Sequence, residues 1–293
     1  MAFMERNING VKYFISEILS SPHAFTTRIG GVSESPWDSL NLGPGRGDNL
    51  NHVKENYRRI CEAVNIDFNN FNNLNAVGKP DNNININNIN SKRVVLAKQV
   101  HETDVKIVDE TDAGKGLYKD RDYTADALIT DEKNLPLFVF SADCGIILLE
   151  DKITGSVGAV HAGWRGCAGG IVKKAVDRMC EKYGADRGNI CAAVGPCIGS
   201  CCFETDQDVP DAMRNALGTD AELYYYKKDF KWHVDLAGLN KQWLLNAGLV
   251  ENNIDICGLC TACRPDLFWS HRKMGERRGV QAALICGINN NKK

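Results

Sequence analysis

The fold is decided by one stretch, residues 155–184, which reads GSVGAVHAGWRGCAGGIVKKAVDRMCEKYG. Residues 155–160 are a short apolar run of the kind that predicts a buried strand. Apolar side chains then recur at helical spacing, which predicts a helix from about residue 168 to residue 183. Gly184 is expected to end that helix, because glycine readily closes a helix in the left-handed conformation. A strand that leads into a helix indicates a protein in which helices pack on a sheet.

The rest of the chain continues this alternation. Short apolar runs bounded by polar turns predict further strands at residues 92–98, 125–130, 136–141, 189–194 and 282–286. A second helix is predicted at residues 236–247, with Gly248 at its end. Because helices interleave with central strands, the predicted class is α/β, or α+β, with a mixed sheet. No clear linker divides the sequence, so residues 1–293 are predicted to form a single domain.

One segment differs from its surroundings in composition. Residues 65–91 read NIDFNNFNNLNAVGKPDNNININNINS. Asparagine side chains compete for backbone hydrogen bonds and favour turns, so this tract is predicted to be a long surface loop inserted into the domain. It contains none of the residues to which chemistry is assigned below.

The charge balance excludes some classes of partner. The 35 lysines and arginines nearly match the 37 aspartates and glutamates, and the formal net charge is −2. Proteins that bind nucleic acid or anionic membranes usually carry a basic excess or a basic block. We therefore expect neither a nucleic-acid partner nor a membrane partner.

The chain is expected to be cytoplasmic. Its N-terminus lacks the apolar core and the cleavage site of a signal peptide. The most apolar stretch, residues 135–149, is interrupted by Ser141 and Asp143, so it is not expected to span a bilayer. In a reducing compartment the twelve cysteines are expected to be free thiols or metal ligands.

Three metal-binding residue types follow predicted strands. His101 ends KRVVLAKQVH, Cys144 ends LPLFVFSADC and His161 ends GSVGAVH. Residues just past strand ends are placed by a rigid sheet and can point into a shared pocket. We predict that these three residues are catalytic and together bind a metal ion.

Two imidazoles and one thiolate are ligand types of catalytic zinc, which keeps three protein ligands and an open fourth position. Zinc lowers the pKa of a water molecule in that position to about 7. Asp143, next to Cys144, is expected either to orient the ligands or to satisfy a turn.

The segment AGWRG, residues 162–166, lies between a predicted strand and a predicted helix. Its glycines allow close backbone approach, and a helix N-terminus offers free amide donors to an anion. Arg165 is expected to add a charge-assisted contact to a phosphate or carboxylate. The segment lacks the spacing of a Walker A loop.

Two groups of cysteines compete as metal sites. Cys257, Cys260 and Cys263 form a C-x-x-C-x-x-C run, whose spacing is known from iron–sulfur and structural zinc sites. Together with the cysteines of GPCIGSCCF, residues 195–203, they would suffice for a four-cysteine site. A ferredoxin-like fourth cysteine followed by proline is missing. The favoured interpretation is therefore buried thiols near a pocket.

A series of motifs now carries a resemblance to a known family. In order, they are SPHAFTTRIGGVSESPWDSLNLG, QVH, TADALIT, SADCGIILLE, GAVHAGWRG, GPCIGSCCFE and GLCTACRPDLFWSHRKMGERRG. Over residues 22–285 the chain resembles the multicopper polyphenol oxidase (laccase-like) family, which is now largely regarded as purine nucleoside phosphorylases. The resemblance implies a layered α/β/β/α fold with mixed sheets. It also implies a zinc site at the residues that match the family motifs, namely His101, Cys144 and His161.

The resemblance implies phosphorolysis of adenosine, inosine, guanosine or methylthioadenosine, and deamination of adenosine. The partners would be a small nucleoside and phosphate, for which Arg28, Arg165 and Arg272 are the candidate clamps. The family often has tyrosine where this chain has His271, so no role is assigned to that position. The asparagine-rich insertion is also unusual, but it avoids every motif.

Two other activities remain open. One is an amidase that edits cell-wall muropeptide precursors, with either a zinc-bound water or a Cys144–His161 pair as the nucleophilic machinery. The other is copper-dependent oxidation of polyphenols. Copper outcompetes zinc at many sites, so copper binding is possible. Six histidines are, however, too few for a mononuclear site together with a trinuclear cluster.

Overall fold

The structure is a computed structural model that describes residues 3–75 and 90–288. Within these two ranges the chain forms fifteen strands: β1 (Phe3–Ile8), β2 (Val11–Ser16), β3 (His23–Thr26), β4 (Val95–Leu96), β5 (Val105–Ile107), β6 (Ala127–Thr130), β7 (Leu137–Ser141), β8 (Gly145–Asp151), β9 (Val157–Ala162), β10 (Ile190–Val194), β11 (Glu204–Thr205), β12 (Tyr225–Lys228), β13 (Lys231–Val234), β14 (Ile254–Ile256) and β15 (Gln281–Ile285). Six α-helices lie in the same ranges: α1 (Leu50–Asn75), α2 (Trp164–Ala168), α3 (Ile171–Tyr183), α4 (Asp208–Leu217), α5 (Leu236–Asn246) and α6 (His271–Met274).

The strands form two large sheets and one small sheet. The first sheet has the order β1-β2-β3-β15-β7-β4 and is antiparallel except where β4 pairs with β7. The second has the order β14-β10-β8-β9-β6-β5, with parallel pairs at its two edges and antiparallel pairs between them. The third is the short sheet β11-β13-β12. Both large sheets are therefore mixed, as predicted.

The two large sheets pack face to face between layers of helices. Strand β8 shows how the sequence produces this arrangement, because its side chains alternate between two apolar clusters. Ile146 and Leu148 face the first sheet, whereas Ile147 and Leu149 face α3 and α5. Helix α1 covers the opposite side of the first sheet, where Tyr57 packs with sheet residues. The layers follow the order α/β/β/α, which confirms the predicted fold class.

The helix predicted at residues 168–183 is α3, which begins three residues later than predicted, and a short helix that was not predicted, α2, precedes it. Helix α2 ends at Ala168 and α3 begins at Ile171. Gly170 separates them with a φ of 69°, in the left-handed region that glycine adopts without strain. A Cβ atom on Gly170 would lie 3.2 Å from the ring of Trp243, so the break also makes room for α5. Gly184 ends α3 with a φ of 67°, as predicted.

Two predicted boundaries differ from the structure. Within residues 92–98 only Val95 and Leu96 pair in a strand, while Ser91–Arg93 form a 3-10 turn capped by Asn90. Helix α1 continues to Asn75, into the tract predicted as a loop from residue 65. Residues 76–89 of that tract lie outside the described residues. In the part of the chain that the structure describes, no helix has the length and apolar character to cross a membrane.

Candidate metal centre

His101, Cys144 and His161 come together at one end of the space between the two large sheets. Cys144 lies in the turn that takes the chain from β7, in the first sheet, to β8, in the second. His161 lies within β9 rather than after it, and its neighbours two and four residues back face the first sheet. His101 follows β4 by five residues, in a loop. The predicted convergence is present, although none of the three directly follows a strand, since Cys144 lies three residues after the end of β7 and directly before β8.

The three side chains are close enough to hold one ion. One nitrogen of each imidazole and the Cys144 sulfur lie within 4.8 Å of one another. Sγ of Cys144 is 3.9 Å from Nε2 of His101. The two imidazole rings meet edge to face, with centroids 4.9 Å apart and planes at 90°. His161 is buried, Cys144 is half-buried and His101 is exposed, so the site opens on the side of His101.

Asp126, a fully buried carboxylate directly before β6, organises both histidines. Its Oδ1 atom lies 2.8 Å from Nδ1 of His161, and with that ring nitrogen protonated, Nε2 is left for the metal. The carboxylate also accepts hydrogen bonds from the backbone N–H groups of Val100, His101 and Glu102, at 3.0–3.1 Å. These bonds hold His101 at a φ of 64°, a conformation that is strained for a residue other than glycine. Asp126 was not among the predicted site residues, because its one signal in the sequence is that of an acidic residue before the apolar run ALIT.

The charges of the site reinforce one another. Burial raises the pKa of Cys144, but the positive charge of His161 and hydrogen bonds from both imidazoles outweigh burial and lower it to about 6. Burial lowers the pKa of His161, but the Cys144 thiolate and Asp126 raise it to about 9. Burial likewise raises the pKa of Asp126, yet His161 and the loop N–H groups hold it below its ordinary value. Without a metal ion, the site therefore favours a thiolate and an imidazolium at neutral pH.

Asp143 fixes the turn that carries Cys144. Its carboxylate accepts hydrogen bonds from the hydroxyl groups of Thr261 and Ser270, at 2.6 Å and 3.0 Å, and from the N–H group of Arg272 at 2.7 Å. Its φ of 96° lies in the left-handed region, so these contacts hold a strained backbone in place. Asp143 thus positions Cys144 rather than approaching the metal ligands itself.

The backbone leaves room for a metal ion beside the three ligands. A Cβ atom on Gly163 would lie 3.1 Å from the Cys144 sulfur and 3.1 Å from Cδ2 of His101. The φ of Gly163 is −61°, which any residue adopts, so the absence of a side chain here serves space and not backbone conformation. Two imidazoles and a thiolate around such a space fit a transition-metal ion.

The site forms the floor of a cavity of about 530 Å³, a size typical of small-molecule sites. Phe140, Trp164 and Phe203 supply aromatic surface to its walls. The walls also carry five basic side chains and two acidic ones: Arg46, Lys98, Arg121, Arg272 and Arg278 against Asp143 and Glu276. The cavity therefore suits a ligand with an aromatic part and a negatively charged part.

Of the three arginines predicted to bind phosphate, only Arg272 lines this cavity. Arg28 instead donates hydrogen bonds to the carbonyl groups of Asp38 and Pro265 and stacks on Trp269, so it ties loops together. Arg165 is exposed and lies over the ring of Trp164. Trp164 lines the cavity, whereas Arg165 does not. The structure does not bring Arg28 or Arg165 to the cavity, because both engage other groups.

Arg278 is a cavity residue that the sequence analysis missed. Its side chain is 6% exposed, and its Nε atom has no hydrogen-bond partner among the described residues. Burial lowers the pKa of Arg278, and the positive charge of nearby Arg46 lowers it further. Nη1 of Arg278 donates to the carbonyl group of Gly279 at 3.1 Å, whereas its Nε donor is unused. A buried donor of a charged group without a partner is costly, so this position favours an anionic ligand.

Comparisons with known proteins identify the family of this chain. The sequence profile of the multi-copper polyphenol oxidoreductase laccase family matches residues 22–82 and 81–287. The chain belongs to this family. Purine nucleoside phosphorylase YlmD of Bacillus subtilis is 33% identical over 267 residues, which cover 89% of this chain and 86% of the relative. Purine nucleoside phosphorylase YfiH of Shigella flexneri is 34% identical over 263 residues, which cover 89% of this chain and 91% of the relative.

A solved structure shares the whole fold. The hypothetical protein YfiH of Bacillus licheniformis superimposes with a TM-score of 0.84 at 30% sequence identity, over 97% of this chain and 99% of that chain.

A second group of potential metal ligands shares no residue with this centre. Cys201, Cys202, Cys260 and Cys263 have their sulfur atoms within 4.8 Å of one another. The favoured interpretation of the cysteines as buried thiols is correct for Cys197, which is 4% exposed. It is wrong for the four grouped cysteines, of which two are exposed and two half-buried.

Proposed function

We propose that this protein is a zinc-dependent purine nucleoside phosphorylase that also deaminates adenosine. The observation that carries the proposal is the placement of Arg278 and Arg46 in the same cavity as His101, Cys144 and His161. A metal site alone fits many hydrolytic activities. A metal site that shares its cavity with a buried arginine whose Nε donor is unused favours an anionic reactant. The names of the relatives, purine nucleoside phosphorylase, support phosphate as that reactant.

The residues of the cavity fit the two reactants of phosphorolysis. Phosphate has three strong acceptor oxygens, and Arg278 and Arg46 would bind it through charge-assisted hydrogen bonds. The aromatic side chains Phe140, Trp164 and Phe203 offer surface on which a purine stacks. In the reaction, a phosphate oxygen forms a bond to C1′ of the ribose and the bond from C1′ to the base breaks. The electron pair leaves with the base, so positive groups around the cavity stabilise the developing charge.

His101, Cys144 and His161 would hold the zinc ion. When bound, zinc supplies a Lewis acid that polarises an oxygen or nitrogen ligand and makes a coordinated water molecule more acidic. Asp126 keeps Nδ1 of His161 protonated, which directs the lone pair of Nε2 at the ion. The loop that carries His101 is held by the same carboxylate, so the two imidazoles keep their relative position.

Zinc fits the centre better than copper. Copper electron-transfer sites with two histidines and one cysteine add a long axial bond, usually to methionine or glutamine. No methionine is among the residues that line the cavity. Gln99 lines it, but both ends of its side-chain amide bind the backbone of Phe140, at 2.7 Å and 2.8 Å. A zinc ion held by these three residues would keep a coordination position for a reactant, as catalytic zinc ions do.

Polyphenol oxidation by a multicopper mechanism is not supported by the histidines. Of the six, only His101 and His161 belong to a cluster of metal-binding groups within residues 3–75 and 90–288. Among the others, the ring of His23 binds backbone groups of Ser16 and Ser21, and His233 binds the carbonyl group of Ser200. A trinuclear copper cluster requires several more imidazoles in one place.

The test is to incubate the untagged, zinc-loaded protein with inosine and phosphate and to measure hypoxanthine and ribose 1-phosphate. We expect both products in equal amounts, none without phosphate, and none with a Cys144→Ser variant. Adenosine without phosphate should yield inosine and ammonia. Absence of phosphorolysis with inosine, adenosine, guanosine and methylthioadenosine would refute the proposal. Oxygen uptake with a polyphenol, restored by copper and not by zinc, would favour the oxidase instead.

A further inference from the structure

Four cysteines from two separate loops meet about one point on the surface of the domain. Cys201 and Cys202 follow the turn after β10, and Cys260 and Cys263 lie in the loop after β14. Sγ of Cys263 is 3.5 Å from Sγ of Cys201 and 3.4 Å from Sγ of Cys202. The site is distinct from the centre at His101, Cys144 and His161, since the two groups share no ligand.

We propose that these four cysteines bind a single zinc ion, which makes this protein a carrier of two metal sites. Four thiolates around one ion form the usual tetrahedral coordination of structural zinc. With Zn–S bonds of about 2.3 Å, neighbouring sulfurs of a tetrahedron lie about 3.8 Å apart. The sulfurs of this group are within 4.8 Å of one another, and the two measured separations are slightly shorter than the tetrahedral value.

The compactness of the group argues against an iron–sulfur cluster, which the C-x-x-C spacing alone would allow. Clusters of two or four irons bind their cysteines on different iron atoms, which sets sulfurs farther apart than one shared ion does. All four sulfurs here fit around one ion. The first cysteine of the run, Cys257, belongs to no such group in the described part of the chain. Only two of the three cysteines in the run are therefore ligands.

The backbone around Cys260 is arranged as it is around a metal-bound thiolate. The N–H group of Gly199 donates to the Cys260 sulfur at 3.2 Å, and the N–H group of Cys263 donates to the same sulfur. Hydrogen bonds from N–H groups favour a negatively charged sulfur over a neutral one. A backbone bridge between Cys197 and Cys260 and a bond from Thr261 N to Cys197 O join the two loops without any metal. The ligands are thus brought together by the fold before an ion binds.

The ion would stabilise the wall of the catalytic cavity. The guanidinium of Arg272, a cavity residue, donates to the carbonyl groups of Cys202 and Glu204 at 2.8 Å and 3.0 Å. Thr261, between two ligands, donates to the carboxylate of Asp143 next to Cys144. A zinc ion that joins the two loops would therefore fix the positions of Arg272 and of the turn that carries Cys144. The role of the ion is structural.

The test counts metal ions in the full-length, untagged protein. We expect two zinc ions per chain in the wild-type protein, one in a Cys263→Ser variant and one in a Cys144→Ser variant. Cys257→Ser is the matched control, because it removes a cysteine of the same run and should leave two ions. With cobalt replacing zinc, the intense sulfur-to-cobalt absorption of a four-thiolate site should persist in Cys144→Ser and disappear in Cys263→Ser.

The outcomes separate this proposal from the proposed activity. One ion in the wild-type protein, with no cobalt absorption left in Cys144→Ser, would overturn the second site whatever the fate of phosphorolysis. A native disulfide between Cys263 and Cys201 or Cys202, found by mass mapping, would overturn it as well. The wild-type cobalt spectrum, read alongside Cys144→Ser, decides the question even where Cys263→Ser fails to fold.

Discussion

Nδ1 of His161 lies 2.8 Å from Oδ1 of Asp126, and both side chains are almost completely buried. The same carboxylate accepts the N–H group of His101 at 3.0 Å. One acidic side chain directly before β6 thus fixes a ligand on β9 and a ligand in a loop. Asp126 is therefore a positioning residue: its loss should lower the affinity for the metal ion, although Asp126 is not itself a ligand.

Replacement of Asp126 by asparagine should weaken metal binding. The carboxamide has one acceptor oxygen in place of two, and its NH₂ group would meet the N–H groups of the loop. Each buried donor left without an acceptor costs about 1–3 kcal/mol. Losing a carboxylate that orients a metal-bound histidine typically lowers affinity about 10- to 100-fold. Competition with a zinc chelator measures the change. Asp266→Asn, which alters an exposed ion pair with Arg264, is the control, and equal affinities in the two variants would contradict the assigned role.

Replacement of Gly163 by alanine should lower metal occupancy while leaving the fold intact. The added Cβ would lie 3.1 Å from the Cys144 sulfur and from Cδ2 of His101, closer than ordinary contact. At a φ of −61° alanine causes no backbone strain, so the effect is confined to the ligands. Metal content after dialysis and circular dichroism report the two properties. Gly188→Ala, whose Cβ meets only the exposed Asp186 carboxylate, should keep full occupancy. Full metal occupancy in Gly163→Ala would contradict the prediction, because it would show that Cys144 and His101 can move to accommodate the added Cβ atom.

Replacement of Arg278 by methionine should raise KM for phosphate about 10- to 100-fold, because a hydrogen bond to a charged group contributes about 1.5–3 kcal/mol. Methionine fills similar space without the charge, so KM for inosine should change little. Initial rates at varied phosphate measure the effect. Arg165→Met is the control, since Arg165 is exposed and does not line the cavity. A larger effect at Arg165 than at Arg278 would favour the binding site predicted from the sequence.

Alkylation of Cys144 in the metal-free protein should persist to unusually low pH. The pKa of Cys144 is lowered to about 6, so the reactive thiolate is present at pH 7 and disappears as the pH falls through 6. In a His161→Ala variant the neighbouring positive charge is missing, so the profile should shift to higher pH. Iodoacetamide labelling with mass mapping of the Cys144 peptide gives the profile. A wild-type midpoint at the ordinary thiol value of 9 would contradict the ion pair.

The element types could be predicted because they depend on local patterns. Residues 136–141 and 189–194 read as buried strands since both faces of their sheet are covered, which produces a continuous apolar run. The short helix α2 was not predicted, because its five residues are too few to show a helical repeat of apolar side chains. Strand β8 was not predicted separately, because it lies in the same apolar stretch as β7. The turn at Asp143 separates the two strands, and contacts with Thr261 and Ser270 hold the φ of Asp143 in the left-handed region.

The sequence by itself determined the alternation of strands and helices and the choice of His101, Cys144 and His161 as candidate ligands, because both depend on residue type and local order. The layered class was implied by the family resemblance that its motifs carry. Only the tertiary structure decided which charges face the cavity. It placed Arg278 in the wall and kept Arg28 on loop carbonyls, since burial and contact arise from packing between distant segments. It likewise brought Cys201 to Cys263 across 62 residues of sequence. Convergence of that kind follows from sheet pairing and loop closure, which local sequence does not encode.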